Sequence, residues 1–334
     1  MLPWFQNTSP PLFLAPMAGV TDIVFRHICK ELGADAMVTE FVSAEGIIRQ
    51  DQRTRKYTEF TDSQRPLGVQ LFGADGTRMG EAAKKIVTWK APDFIDINFG
   101  CPVNKVVSKN GGSSLLRDCP LLCDTAKKIV DALAPLGVPV TAKIRIGWDS
   151  TSVNAPHVCQ LLQDVGIQAV SVHGRTRAQG YSGEADWDVI GQCAEAVSIP
   201  VVGNGDITSG NDVEKRLRET SVSGLMIGRA AMQNPWIFKE AKHYLATGEH
   251  LPPASIEDRW ALIKRHCNMA VDCNRYGNEL QTMQAMRSRL MAYSRGLPNG
   301  KRLRSTFATV SSLAHLDEIA SEYLDHLQKT ANAA

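Results

Sequence analysis

Short runs rich in Val, Ile and Leu recur along the first two thirds of the chain, at Leu12–Ala15, Ala36–Thr39, Leu67–Phe72, Phe94–Asn98, Val138–Ile146, Ala169–His173, Ile199–Gly203 and Gly224–Ile227. Runs of this length and composition, stopped by Gly, Pro or polar residues, read as strands. Amphipathic stretches lie between them, at Asp22–Leu32, Thr77–Trp89, Cys119–Leu133, Ala155–Asp164, Trp187–Ala196 and Asn211–Glu219. Strands alternating with helices predict a parallel sheet. Eight such units in about 240 residues match a closed barrel better than an open, doubly wound sheet. The first strand is followed by no Gly-rich dinucleotide fingerprint, which weighs against the open sheet as well. The predicted class is therefore α/β, a (β/α)8 TIM barrel.

The alternation stops near Tyr244, and breakers fill Ala246–Ala254. Beyond them, Ile256–Asn274, Leu280–Ser294 and Leu313–Leu327 carry helical periodicity, with turns at Gly277 and Gly296–Gly300. The expected organisation is a barrel over 1–244, a linker over 245–255 and a small all-helical C-terminal domain over 256–334. One barrel connection is oversized: Gly100–Pro139 begins at Cys101 and carries Lys105, Lys109, Asn110 and two glycines before its helix. Long loops in compact domains are commonly functional covers, so this one is expected to lie over the barrel mouth.

Composition changes this picture little. With 43% hydrophobic and 22% charged residues among 334, the chain is ordinary for a soluble globular protein. No apolar run is long enough to span a bilayer and no signal peptide is apparent. The eight cysteines show no pairing pattern or zinc spacing, so no metal is expected, and scattered thiols suit a reducing cytoplasm. Charge is more informative locally than globally. The net charge is only +2, yet Ile256–Ser312 carries ten Lys/Arg against four Asp/Glu. Such a surplus makes a polyanionic partner worth testing, with a merely solvated helix face as the alternative.

In a barrel the carboxyl ends of all strands converge on one mouth. Those ends hold Pro16, Met17 and Ala18; Glu40; Gln70; Asn98 with Cys101; Lys143 with Arg145; His173 with Arg175; Asn204, Gly205 and Asp206; and Gly228 with Arg229. One of these alone would be a cap or an ion pair, and most unpaired cysteines are small buried hydrophobes. Polar or Gly-rich signals at every end point to a ligand site. Phosphates commonly sit after strands seven and eight, where glycines allow close backbone approach and Arg229 adds charge-assisted bonds. A flavin mononucleotide fits such a mouth. Lys143 would set a cation against the ring and Gln70 would bond its amide side; a buried ion pair of Lys143 with Asp96 is the alternative.

The blocks Ala-Pro-Met-Ala-Gly-Val-Thr-Asp at 15–22, Asp-Ile-Asn-Phe-Gly-Cys-Pro at 96–102, Lys-Ile-Arg-Ile-Gly-Trp at 143–148, Val-His-Gly-Arg-Thr-Arg at 172–177, Gly-Asn-Gly-Asp-Ile at 203–207 and Met-Ile-Gly-Arg-Ala-Ala at 226–231 resemble those of tRNA-dihydrouridine synthases. The run Asn234-Pro235-Trp236-Ile237-Phe238 and the layout of the tail are most similar to the bacterial B-type branch. The resemblance implies an FMN-dependent reductase of tRNA uridines. NADPH (or NADH) reduces the flavin, hydride passes to C6 of the uracil, and Cys101 protonates C5. It further implies that Pro16, Met17, Ala18, Gln70, Lys143, His173, Asn204, Gly205, Asp206, Gly228 and Arg229 hold FMN. Asn98, Lys105, Arg145 and Arg175 would meet the uridine or its strand, and Arg287 and Arg289 of the helical domain would meet tRNA phosphates. Asn104 departs from the pattern, since many relatives place a second lysine there.

Two other functions suit part of this pattern. A flavin dehydrogenase of free pyrimidines would use the same barrel but has no need of a basic helical tail. A tRNA-binding chaperone without catalysis has no need of a thiol at the mouth. A cytoplasmic monomer with no obligate protein partner and no membrane attachment is expected.

Overall fold

In the computed structural model, residues 2–6, 9–102 and 111–331 are described. Nine parallel strands are present among them: β1 (Leu12–Leu14), β2 (Ala36–Val38), β3 (Val42–Ser43), β4 (Leu67–Phe72), β5 (Phe94–Asn98), β6 (Val140–Arg145), β7 (Val170–His173), β8 (Val201–Asn204) and β9 (Gly224–Ile227). Pairing runs β2-β1-β9-β8-β7-β6-β5-β4, and β2 also pairs with β4, so eight strands close into a parallel barrel. The two-residue β3 continues β2 after a bulge. Val38 lies opposite Gly68 and Val42 opposite Leu71, so four steps on one strand match three on the other. The bulge turns Glu40 out of the ladder, and its Oε1 accepts a 2.6 Å bond from the Gly19 amide in the loop after β1.

The helices form where the period predicts them, and most of those around the barrel start on a side-chain cap, Ala155–Asp164 being the exception. Asp22, Asp75, Asp118, Asp186 and Ser209 each accept from backbone amides one to three residues into the helices Ile23–Glu31, Gly76–Lys90, Cys119–Leu133, Trp187–Glu195 and Gly210–Glu219. Their apolar faces close over strands whose side chains are almost wholly buried. Two short helices after β3 (Ala44–Ile48 and Gln52–Lys56) have no counterpart in the sequence reading, being too short to show a period.

The chain divides into two compact units. The barrel unit comprises the residues to Gly228 together with Ile237–His250, and the helical unit comprises Arg229–Trp236 and the chain from Leu251 onward. The boundary therefore differs from the expected one: the helix Ile237–Thr247 carries the barrel unit past Tyr244, and a short piece after β9 clusters with the helical unit. That unit contains Ile256–Cys273, Glu279–Tyr293, Gly300–Phe307 and Leu313–Ala331. Gly300–Phe307 begins where breakers predicted only a turn. Trp260, Met283, Met286, Leu290 and Phe307 are buried in its core. No helix among the described residues is long and apolar enough to cross a membrane.

Candidate active site

Strands β4, β5 and β6 are joined by a line of buried side chains that runs to the carboxyl end of β5 at Asn98. Thr141 Oγ1 donates to Asp96 Oδ1 at 2.6 Å, and Gln70 Nε2 donates to Asp96 Oδ2 at 2.7 Å. Gln70 Oε1 in turn accepts from Asn98 Nδ2 at 2.9 Å. Asn98 Oδ1 is thereby aimed along the chain and accepts the amides of Gly100 (3.1 Å) and Cys101 (2.8 Å). Burial pushes the Asp96 carboxyl up from its ordinary value, against the bonds from Thr141 and Gln70 and the nearby Lys143 charge.

The Cys101 turn is held from both sides. Arg145 Nε donates to Gly100 O at 3.0 Å, and both the amide (3.2 Å) and hydroxyl (2.9 Å) of Ser113 donate to Cys101 O. Each of these bonds goes to a main-chain atom, so the backbone of the turn is fixed, and the Cys101 side chain is buried. Ser113 escaped the sequence reading, since a lone serine in a long loop carries no pattern.

On the neighbouring strands Lys143, half-buried, donates from Nζ to Asn204 Oδ1 at 3.1 Å, and Asn204 Nδ2 donates to Met226 O at 2.7 Å. The alternative of a direct Lys143–Asp96 pair gives way to this arrangement, because Asp96 turns to Gln70 and Thr141 instead. Burial, and secondarily Arg145, pull the Lys143 ammonium down to about 8, with Asp96 opposing. His173 is opposite both Arg145 and Asn204 in the ladder, and its ring lies 6.2 Å from that of Tyr181, an exposed aromatic the sequence reading passed over.

Four of the arginines expected to meet uridine or tRNA are engaged within the protein. Arg175 is buried and makes a two-pronged pair with Asp206 (both bonds 2.8 Å), with further bonds to Ser182 O and Gly183 O. Asp206 also accepts the Ala185 amide at 2.8 Å, so this pair ties the loops after β7 and β8 together. Replacing Asp206 with Asn is expected to lower unfolding free energy by about 3 kcal/mol, because it strands a buried guanidinium; urea denaturation reads this directly. Arg145 is likewise buried, donating also to Thr176 O and Gly180 O, and acts as a strut behind Cys101. In the helical unit Arg289 is buried, against the expected phosphate contact, and Arg287 gives its Nε to Val310 O. Lys105 lies outside the described residues.

The glycines at the end of β8 and just after it have structural causes. A Cβ at Gly203 would sit 2.5 Å from the Trp187 ring, and one at Gly205 would sit 2.5 Å from Ala185 Cβ at a φ of +141°. Gly228 is different. A Cβ there would meet Ala15 and Met17 only at ordinary contact distance, 3.5 and 3.6 Å. The half-buried backbone at Gly228 is bare without any neighbour requiring it, which fits close approach of a phosphate beside the Met17 loop. Lys143 fits an anionic or electron-rich group, since one of its three donors is committed to Asn204. The donor set therefore fits FMN. Pro16 and Met17 are half-buried and Ala18 is exposed in that loop; Arg229 is exposed and follows Gly228 directly in the chain. Gln70, fully buried, keeps both ends of its amide on Asp96 and Asn98. Among the described residues no group of His, Cys, Asp or Glu could hold a metal ion.

Residues 13–332 match the sequence model described as dihydrouridine synthase (Dus). The tRNA-dihydrouridine synthase B of Pseudomonas putida is 43% identical over 296 residues, covering 89% of this chain and 86% of that one. The protein of the same name from Pseudomonas aeruginosa is 41% identical over 296 residues, covering 89% and 87%. Both carry the B-type name that the sequence blocks suggested. Among solved structures, histamine dehydrogenase from Rhizobium sp. 4-9 has the same barrel, with a TM-score of 0.53 at 14% identity over 77% of this chain and 48% of that one.

Proposed function

The chain belongs to the dihydrouridine synthase family, and from that premise we propose that it reduces uridines of tRNA to 5,6-dihydrouridine, with FMN as cofactor and NADPH as reductant. The observation that carries the reading is the fixed turn at Cys101 beside the Lys143–Asn204 pair, at the mouth of a closed barrel. FMN bound between Lys143 and Gly228 would supply the hydride for C6 of the uracil.

This chain's own residues do the rest. Cys101 holds a proton and releases it to C5 of the base; a thiol suits the task because it is neutral near physiological pH yet gives up its proton readily. Asn98, Arg145 and Ser113 fix the backbone of the turn, so that the sulfur reaches one side of the bound base. Lys143 and Asn204 set polar contacts on the cofactor side, while Gly228 and the Met17 loop accept the phosphate. His173, opposite Arg145 and Asn204 in the ladder, stands with them on the cofactor side. The base must leave its stack to reach such a mouth, so the tRNA is gripped elsewhere at the same time. The exposed Arg295, Lys301 and Arg302 of the helical unit supply part of that grip in place of the buried Arg289. The protein acts in the cytoplasm as a monomer.

The test is spectroscopic. Purified protein loaded with FMN should show a visible flavin band that NADPH bleaches and that unmodified tRNA restores under anaerobic conditions. Restoration by free uracil or orotate instead would identify a pyrimidine dehydrogenase, and failure to take up FMN would remove the redox reading altogether.

A further inference from the structure

Glu40 stands at a strand end like the cofactor residues, yet the reaction derived above gives it no part. It is 2% exposed. A carboxylate taken that far out of water is costly unless it accepts hydrogen bonds, so its partners decide its role. The bulge between β2 and β3 takes Glu40 out of the ladder, with Val38 opposite Gly68 and Val42 opposite Leu71. Its Oε1 then reaches the loop after β1 and accepts the Gly19 amide at 2.6 Å. A bond from an amide to an ionised carboxylate is of the stronger, charge-assisted kind.

The loop it grips is a tight turn with further anchors. The Val20 and Thr21 amides both donate to Met17 O at 3.0 Å, and Thr21 Oγ1 accepts the Met17 amide at 2.9 Å. Thr21 O accepts from Nη1 of the buried Arg26 at 2.6 Å. Gly19 lies within the turn at a φ of +69°, where a Cβ would meet nothing within 4 Å, so backbone conformation and not crowding calls for glycine. Arg26 thus pins the end of the turn, and Glu40 pins its middle. The Met17 side chain packs on the core cluster that holds Ala15, Val38 and Met226, and its sulfur would lie 3.6 Å from a Cβ at Gly228. The turn therefore borders the bare backbone assigned to the cofactor.

Glu40 is tied to the acid side as well. Thr39 Oγ1 accepts the Gln70 amide at 3.2 Å and donates to Glu40 O at 2.9 Å. Gln70 is the middle of the line that runs from Asp96 to Asn98 and the Cys101 amide. The hydrogen bonds of the Cys101 turn and those of the Met17 turn meet at this residue.

We propose that Glu40 is a positioning residue for the cofactor. It holds the turn from Met17 to Thr21 beside Gly228 before the cofactor arrives, and Thr39 and Gln70 tie it to the line that fixes Cys101. The assignment rests on the FMN reading above. A turn ordered in advance spares the ligand the entropy of ordering it, so Glu40 acts on FMN affinity.

Two measurements on the full-length protein test it: amide hydrogen exchange over residues 17–21 in FMN-free protein, and FMN binding followed by quenching of flavin fluorescence. Glu40→Ala should speed that exchange and weaken FMN binding, each about 10–100-fold. Glu40→Gln keeps an oxygen for the Gly19 amide but loses the charge, and should fall between, about three- to tenfold from wild type. Thermal unfolding separates a general loss of stability. A lowered midpoint with wild-type exchange and FMN affinity overturns the proposal, and so does wild-type behaviour of Glu40→Gln should Glu40→Ala fail to fold. Wild-type protein that takes up no FMN overturns the flavin reading, while exchange in the FMN-free protein still judges the anchor.

Discussion

Replacing Cys101 with alanine is expected to lower dihydrouridine formation by about 10²–10⁴-fold, the range associated with removing one positioned proton donor. The variant should fold and take up FMN as the wild type does. The bonds that fix the backbone of the turn go to main-chain atoms: Asn98 to the amides of Gly100 and Cys101, Arg145 to Gly100 O, and Ser113 to Cys101 O. An alanine side chain disturbs none of them. Bleaching of the flavin by NADPH should persist, because that step precedes protonation, while reoxidation by tRNA should become slow. Stopped-flow absorbance separates the two halves. Unchanged reoxidation by tRNA would remove Cys101 from the chemistry.

The second large effect concerns Lys143. Lys143→Met should slow reduction of the flavin by NADPH about 10²–10³-fold, the scale of losing one preorganised charge contact. The wild-type rate should also fall as pH rises through about 8, where the ammonium loses its proton, and the methionine variant should lack that inflection. Stability should move the other way. The folded pKa lies below the ordinary lysine value, so between about 8 and that value the unfolded chain binds more protons than the native one. Stability therefore rises with pH across this window, and at neutral pH the partly desolvated cation weighs against folding. Lys143→Met is thus expected to raise the midpoint of unfolding at pH 7 and to show less of a gain as pH approaches 10. Equal pH dependence of unfolding in both proteins would contradict the assignment.

Much of the barrel was legible because strands buried on both sides leave uninterrupted Val/Ile-rich runs. β4, β5 and β9 fall on the predicted runs residue for residue, as does the helix Cys119–Leu133. What escaped is either too short or locally contradictory. β3 has two residues and forms only because a bulge lets it pair with β4. Gly300–Phe307 opens directly after breakers that read as a turn. The direction in which an arginine points is invisible in composition. Arg145 and Arg175 are buried because loop carbonyls at Gly100, Thr176, Gly180, Ser182 and Gly183 await them, and a carbonyl has no residue signature. Arg289 could have been found: it falls among Met286, Leu290 and Tyr293 at helical spacing, on the face that packs inward. The site was legible as a set of strand ends, whereas the line from Asp96 through Gln70 and Asn98 to the Cys101 amide needed the register between strands.

The most direct measurement is the mass of uridines in tRNA that lacks dihydrouridine, after incubation with the FMN-loaded protein and NADPH and digestion to nucleosides. The account predicts that specific uridines gain two hydrogens in mass and that Cys101→Ala protein leaves them unchanged over the same interval. Uridines left unaltered by the wild-type protein while NADPH still bleaches its flavin would contradict it.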